Sequence, residues 1–128
     1  MSDIKQVGVG EFGPIYEGIK GRKAVDFLIL QRGGEIRNAF WHLEIGHIDL
    51  VWDSGEGKGL SSIIRDHPDA IVFLDKMIEN GEVYQKTSNR VRLIARLGDK
   101  HGITIVRLDF DGKEKNWVLT GFLLEENI

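Results

Sequence analysis

The spacing of hydrophobic residues changes along the chain, and the change lies near Gly81. Before it, hydrophobic residues fall three or four positions apart, as one face of an α-helix requires; they are Leu60, Ile63, Ile64, Ile71, Leu74 and Ile78. Because a proline disfavours helical geometry at the preceding residue, this stretch predicts two helices, over 58–66 and 68–79, that meet at His67. An apolar stretch at 22–31, followed by two glycines, predicts a short buried helix.

After Gly81 the hydrophobic period becomes two, which is typical of strands with one buried face. Four such runs, separated by short polar connections, predict an antiparallel meander over 82–124, and a β-rich run at 48–52 predicts one further strand. Helices first and strands later predict an α+β fold, with N-terminal helices packed on a C-terminal four-stranded antiparallel meander. We expect the glycine-rich segment 1–14 to be a loosely ordered lead or linker, and 15–128 to be a single domain.

The meander carries more positive charge than the rest of the chain. Along 90–97, three arginines alternate with apolar residues, so the two kinds project from opposite faces of a strand. The arginines are Arg90, Arg92 and Arg96, and the apolar residues are Val91, Leu93, Ala95 and Leu97. Residues 81–117 hold eight Lys or Arg and five Asp or Glu, a local charge of +3, whereas the whole chain carries −3. Any contact with nucleic acid would therefore use this local basic face.

What the chain lacks excludes several kinds of site. It has no cysteine, which removes disulfides, thiol catalysis and cysteine-bound metal centres. No apolar run approaches the roughly 18 residues of a membrane helix, and the first residues lack the basic start of a secretion signal. We therefore expect a cytoplasmic protein that contacts no membrane and needs no cofactor.

The stretch HLEIGHIDLVW, residues 42–52, contains two histidines and a glutamate within six positions. Such side chains suit general acid–base chemistry, because the reference pKa of histidine is about 6.5. His42 is the first candidate for proton transfer, and Glu44 is a candidate to orient it or to act as base. The alternatives are a histidine that fixes a loop and a glutamate that caps a strand. Metal binding is a lesser alternative, because on a strand His47 points away from the other two.

Four blocks of the chain follow a familiar order: HLEIGHIDLVWD, GKGLSSIIRDHPD, NRVRL and DGKEKNWVLTGF. Over residues 13–122 the chain resembles the phage barnase-EndoU-colicin-RelE-like nucleases, and EIGHIDLVW is the most specific block. The resemblance implies a barnase-EndoU-RelE-like fold, with helices on an antiparallel sheet, and RNA cleavage without a metal ion. It also implies that His42 is the family's block-initial histidine. Leu43, His47 and Asp53 depart from the usual residues, and His47 is expected to be incidental.

Further candidates lie later in the chain. Arg90 begins a strand, where its guanidinium can hold a phosphate through two hydrogen bonds; the alternative is a surface ion pair. Thr120 precedes a glycine that allows a ligand to approach, and its alternative is ordinary strand packing. His67 is a candidate for binding, although a helix cap is favoured. Other candidates for binding RNA are Lys86, Arg92, Arg96 and Trp117, and at least two of Trp41, Trp52 and Trp117 are expected in the core.

Two hypotheses follow for function. The first is a metal-independent ribonuclease, phage-borne or toxin-like, with His42, Glu44, Arg90 and Thr120 as catalytic residues. The second is a catalytically silent module that uses the same sheet face to bind protein or nucleic acid, since fold does not determine function. The partners implied are RNA, a phage head or portal protein, or a neutralising partner. The pattern predicts no oligomeric state.

Overall fold

A computed structural model describes residues 4–54 and 57–125 of the chain, and within them an eight-stranded sheet carries three short α-helices. The strands are β1 (Lys5–Gly10), β2 (Gly13–Glu17), β3 (Gly34–His42), β4 (Gly46–Trp52), β5 (Glu82–Lys86), β6 (Arg90–Leu97), β7 (Lys100–Phe110) and β8 (Lys113–Glu125). The helices are α1 (Gly21–Gln31), α2 (Leu60–Asp66) and α3 (Leu74–Glu79), with a 3₁₀ helix at Pro68–Phe73.

The sheet is mixed, and its strand order is β1-β2-β3-β4-β8-β7-β6-β5. Neighbouring strands pair antiparallel, except that β2 pairs with β3 and β4 pairs with β8 in parallel. The β4–β8 pairing aligns Asp49 with Trp117 and joins the N-terminal strands to the C-terminal meander β5–β8. One sheet therefore extends from edge strand β1 to edge strand β5.

The predicted fold, N-terminal helices on a four-stranded meander, is wrong. The four antiparallel strands of the meander are present, but they form only half of an eight-stranded mixed sheet. The expected lead at 1–14 contains β1, an edge strand in which Val7 and Val9 alternate with glycine but are both exposed. In β3 a bulge between Ile36 and Phe40, with Asn38 at a φ of 56°, interrupts the two-residue period. Residues 1–3, 55–56 and 126–128 of the predicted segments lie outside the described residues.

The helices form near their predicted positions but differ in detail. The helix α1 buries Ala24, Val25 and Leu28 while Leu30 is exposed, so one face of it packs on the sheet and it is not buried all round. The segment predicted as a helix over 68–79 is divided into the 3₁₀ helix and α3. Within the described residues, no helix is long and apolar enough to cross a membrane.

The two faces of the sheet differ in what they contact. One face, here called the helix face, packs against α1, α2 and α3 in a single hydrophobic core. Its strand residues include Ile36, Phe40, Ile48, Leu50, Val91, Leu93, Val106 and Val118. The opposite face, here called the arginine face, presents Arg90, Arg92, Arg96 and Arg107. The alternation predicted for β6 is confirmed, because its arginines are exposed and Val91 and Leu93 are buried; Leu97 is half-buried.

Candidate functional site on the arginine face

Four residues from four neighbouring strands form a row across the arginine face. In Cα register, Asp49 on β4 is opposite Trp117 on β8, which is opposite Arg107 on β7. Arg107 is in turn opposite Arg90 on β6. Opposite residues project from the same face and neighbouring strands are about 4.8 Å apart, so Asp49 and Arg107 are separated by about 10 Å. The row places a carboxylate and two guanidinium groups on one face of the sheet, with the buried Trp117 between Asp49 and Arg107.

A cluster of charged side chains, Glu35, Asp49 and Lys115, lies at the acidic end of this row. Lys115 Nζ is 2.5 Å from Glu35 Oε2 and 2.7 Å from Asp49 Oδ2. The side chains are only 17% (Lys115), 6% (Glu35) and 15% (Asp49) exposed. Because one ammonium faces two carboxylates, this carboxylate–lysine cluster carries a net charge of −1 in a partly buried position. It is therefore a candidate for proton transfer as well as a link between β3, β4 and β8.

The backbone orients Asp49 within the cluster. The N–H of Asn38 donates a hydrogen bond to Asp49 Oδ1 at 2.8 Å, so one carboxylate oxygen is held by the β3 bulge and the other by Lys115. Among residues 4–54 and 57–125, no three histidine, aspartate or glutamate side chains are placed to hold a metal ion. The chemistry that the cluster itself can supply is the acceptance and donation of protons.

The basic part of the arginine face is built from β6, β7 and β8. Arg92 is opposite Ile105, and Ile105 is opposite Thr120, so the Thr120 hydroxyl lies on the same face as Arg92, one row from Arg90. Arg107 Nε donates to Asp109 Oδ1 at 2.9 Å, which fixes the guanidinium direction. Arginine and threonine hydroxyl groups are suitable donors to phosphate oxygens. Beside them is a cavity of about 300 Å³, lined by Glu11, Lys58, Arg107, Phe110, Asp111 and Trp117.

Trp117, a predicted binding residue, is buried in an aromatic cluster. Its Nε1–H donates to the Asp109 carbonyl oxygen at 2.9 Å, and its ring centroid is 5.7 Å from that of Phe12 and 5.9 Å from that of Phe110. Only 1% of Trp117 is exposed. The ring therefore anchors the β1–β2 turn on the arginine face and is not available for a base to stack on.

His42 is buried on the helix face, away from Arg90 and Thr120. Its Nε2–H donates to the Gly81 carbonyl oxygen at 2.6 Å. Its Nδ1 accepts the backbone N–H of Glu44 at 3.1 Å and of Ile45 at 3.3 Å. Both ring nitrogens are thus occupied by the backbone, and the ring joins the β3–β4 turn to the start of β5. The predicted proton-transfer histidine is not brought together with the predicted phosphate-binding residues.

Glu44 and Lys86 line the same cavity, which lies on the helix-face side of the sheet. They border a cavity of about 600 Å³, together with Ile45, Val83, Ser88, Val91, Leu108, Asp109, Gly112, Lys113, Glu114 and Asn116. Lys86 is opposite the buried Val91, which places it on the helix-face side. The cavity therefore does not join Glu44 to Arg90 or Thr120.

The remaining predicted residues are at the edges of the fold. His67 lies between α2 and the 3₁₀ helix; its backbone N–H donates to the Ile63 carbonyl oxygen at 2.7 Å, and its ring centroid is 5.5 Å from that of Phe122. Arg96 is opposite His101 near the end of β6 that is distant from Arg90. Of the predicted site, Arg90, Arg92, Arg96, Thr120 and Trp117 share the arginine face.

The sequence did not single out Glu35, Asp49, Lys115 or Arg107 as site residues. Asp49 carried a usable signal, because it alternates with the apolar Ile48 and Leu50 and must project from the other face. Lys115 and Arg107 were counted only as local charge. Glu35 carried no signal, since β3 was not predicted and its contact with Lys115 joins residues 80 positions apart.

Comparison with known families assigns most of the chain to one family. Residues 39–128, which are 90 of the 128, match the model of the phage-Barnase-EndoU-ColicinE5/D-RelE like nuclease1 family. The chain belongs to this family. No curated protein and no solved structure matches it. The resemblance noted from the sequence blocks is confirmed, and the domain is assigned to a phage-associated nuclease family. Asp49, Lys115 and the arginines of the row lie inside the matched region, whereas Glu35 precedes it.

Proposed function

We propose that this domain cleaves RNA on its arginine face, through general acid–base chemistry of its own side chains and without a metal ion. The observation that supports this most is the row in which Asp49, a member of the carboxylate–lysine cluster, lies two strands from Arg107 on the same sheet face, with the two Cα atoms about 10 Å apart. Metal-independent cleavage of RNA needs a base, an acid and cations near the phosphate, and this face carries all three kinds of group.

In the proposed reaction Asp49 is the base. Its carboxylate accepts the proton of the RNA 2′-hydroxyl, the 2′-oxygen attacks phosphorus, and the bond between phosphorus and the 5′-oxygen breaks. The Lys115 ammonium donates a proton to the departing 5′-oxygen. The products are a 2′,3′-cyclic phosphate and a 5′-hydroxyl, and solvent restores both protonation states. Glu35, which also contacts Lys115, positions the ammonium.

The arginines supply the electrostatic part of the proposed reaction. Arg90, Arg92 and Arg107 stabilise negative charge on the phosphate, and the Thr120 hydroxyl donates a hydrogen bond to a phosphate oxygen. His42 is given no catalytic role, because its ring nitrogens already bond to Gly81, Glu44 and Ile45. The local charge of +3 over 81–117 supports binding of a polyanion despite the acidic total.

The experiment compares wild type, Asp49→Asn and the matched control Asp69→Asn on mixed single-stranded RNA in EDTA. Asp69 is exposed in the 3₁₀ helix, far along the chain from the cluster. We expect wild type and Asp69→Asn to form 2′,3′-cyclic phosphate ends, and Asp49→Asn to be slower by about 10²- to 10⁴-fold. Circular dichroism checks that all three are folded. Binding of RNA by wild type without cleavage would instead support the silent-module hypothesis.

A further inference from the structure

The three tryptophans differ sharply in exposure. Trp117 is 1% exposed and Trp52 is 7% exposed, and both belong to the interior. Trp41 is 57% exposed. It is the Cα register partner of His47 across β3 and β4, and the two ring centroids are 4.9 Å apart at an interplanar angle of 70°. Strand pairing therefore holds an exposed aromatic pair in a defined geometry, here called the Trp41–His47 pair.

The Trp41–His47 pair lies on the arginine face. Trp41 is flanked in sequence by Phe40 and His42, which are both buried on the helix face, so its side chain projects from the other side. His47, its register partner, projects from the same side. Asp49 follows two residues later on β4, about 6.6 Å along the strand. The pair therefore borders the carboxylate–lysine cluster.

We propose that Trp41 is the stacking platform for an unpaired nucleobase of single-stranded RNA, with the His47 ring at the edge of that base. This inference rests on the proposed function, since it places the base next to the ribose whose 2′-hydroxyl reacts at Asp49. Aromatic side chains are the usual partners of unstacked bases in single-strand recognition. From the sequence, His47 was expected to be incidental. In this proposal it contributes to base specificity.

Charge and position favour a nucleic acid over a protein as the occupant. The Trp41–His47 pair lies on the same face of the sheet as Arg90, Arg92, Arg96 and Arg107. Four arginines on that face favour a polyanion as the occupant. A base also needs one accessible ring face, which an exposed tryptophan supplies. Contact of Trp41 with a protein partner is the competing outcome, and it predicts that RNA affinity does not depend on this ring.

The test measures binding of two 2′-O-methyl oligomers of equal length, which the proposed reaction cannot cleave: one carries bases and one is abasic. The variants are Trp41→Ala, the conservative Trp41→Phe, and Leu43→Ala, a matched control because Leu43 is an exposed apolar residue in the neighbouring turn. Trp41→Ala should weaken binding of the base-containing oligomer by roughly 5- to 140-fold, the equivalent of losing one stacked base. Trp41→Phe should retain most of the affinity, and Leu43→Ala should bind like wild type.

The abasic oligomer separates stacking from other effects. If Trp41 stacks on a base, wild type should bind the abasic oligomer less tightly than the base-containing one. Trp41→Ala should then bind the abasic oligomer as tightly as wild type does. Unchanged binding of the base-containing oligomer by Trp41→Ala would overturn the inference, as would equal loss for both oligomers or a wild type that binds neither. Because binding is measured without cleavage, a protein that binds bases through Trp41 but never cuts would refute the proposed function and leave the base subsite standing.

Discussion

Lys115 and Asp49 lie on adjacent parallel strands, and Lys115 Nζ contacts Asp49 Oδ2 at 2.7 Å while it also contacts Glu35. Replacing the lysine would leave two carboxylates together in a partly buried position. Lys115→Met should therefore lower the free energy of unfolding by about 2–4 kcal/mol. Urea unfolding followed by circular dichroism measures this, with Lys113→Met as the control, since Lys113 is exposed on the same strand. Equal stability of the two variants would show that the contacts of Lys115 with Glu35 and Asp49 do not stabilise the fold.

His42 should act mainly on stability. His42→Ala leaves the buried Gly81 carbonyl oxygen, and the part-buried N–H groups of Glu44 and Ile45, without their partner. An unsatisfied buried polar group costs about 1–3 kcal/mol, so we expect a loss of about 2–4 kcal/mol in urea unfolding, together with the lost packing. His47→Ala, at an exposed histidine, should change stability little. A fully stable His42→Ala without nuclease activity would restore His42 as a proton-transfer residue.

The arginine row should determine how strongly salt weakens RNA binding. Each phosphate contact that is removed lowers the slope of log affinity against log salt concentration by about 0.7 for a single strand. Arg90→Ala should reduce the slope by about this amount, whereas Lys23→Ala, at an exposed lysine of α1, should leave it unchanged. Fluorescence anisotropy with labelled RNA at several salt concentrations gives both slopes. An equal slope for Arg90→Ala and wild type would place the phosphate elsewhere.

Glu79, at the end of α3, should make a small contribution to pH dependence. Partial burial, and next the charge of Asp75, raise the pKa of Glu79 above its ordinary value. The folded protein therefore binds the Glu79 proton more tightly than the unfolded chain does. The stabilisation that this proton gives is complete below the ordinary pKa of glutamate and is lost as the pH rises through the pKa of Glu79 in the folded protein. At pH 7, Glu79→Gln should be more stable than wild type by about a few tenths of a kcal/mol; the difference is small because the side chain is largely exposed. Below about pH 4 the two proteins should be equally stable. A difference that is constant over this range contradicts the prediction.

The spacing of hydrophobic residues along the chain predicted those helices and strands that bury only one face. Strand β6 alternates cleanly, because Val91 and Leu93 face the core while Arg90 and Arg92 do not. The bulge at Asn38 interrupts such alternation in β3, and the edge strand β1 buries neither Val7 nor Val9. The parallel pairing of β4 with β8 is a long-range contact that no local period encodes, and the contact of Lys115 with Glu35 depends on it. The basic half of the candidate site could therefore be predicted, and the carboxylate–lysine cluster could not.

The proposed function requires that the arginine face of the sheet, and not the helix face, carries the chemistry. Asp49 lies on the arginine face, and Glu44 borders the cavity on the helix-face side. Single-turnover cleavage of one RNA oligomer should be slowed by about 10²- to 10⁴-fold in Asp49→Asn. In the same assay Glu44→Gln, which removes a carboxylate of the same kind, should cleave at the wild-type rate. Full activity of Asp49→Asn together with an inactive, folded Glu44→Gln would contradict the account and place the active site beside Glu44.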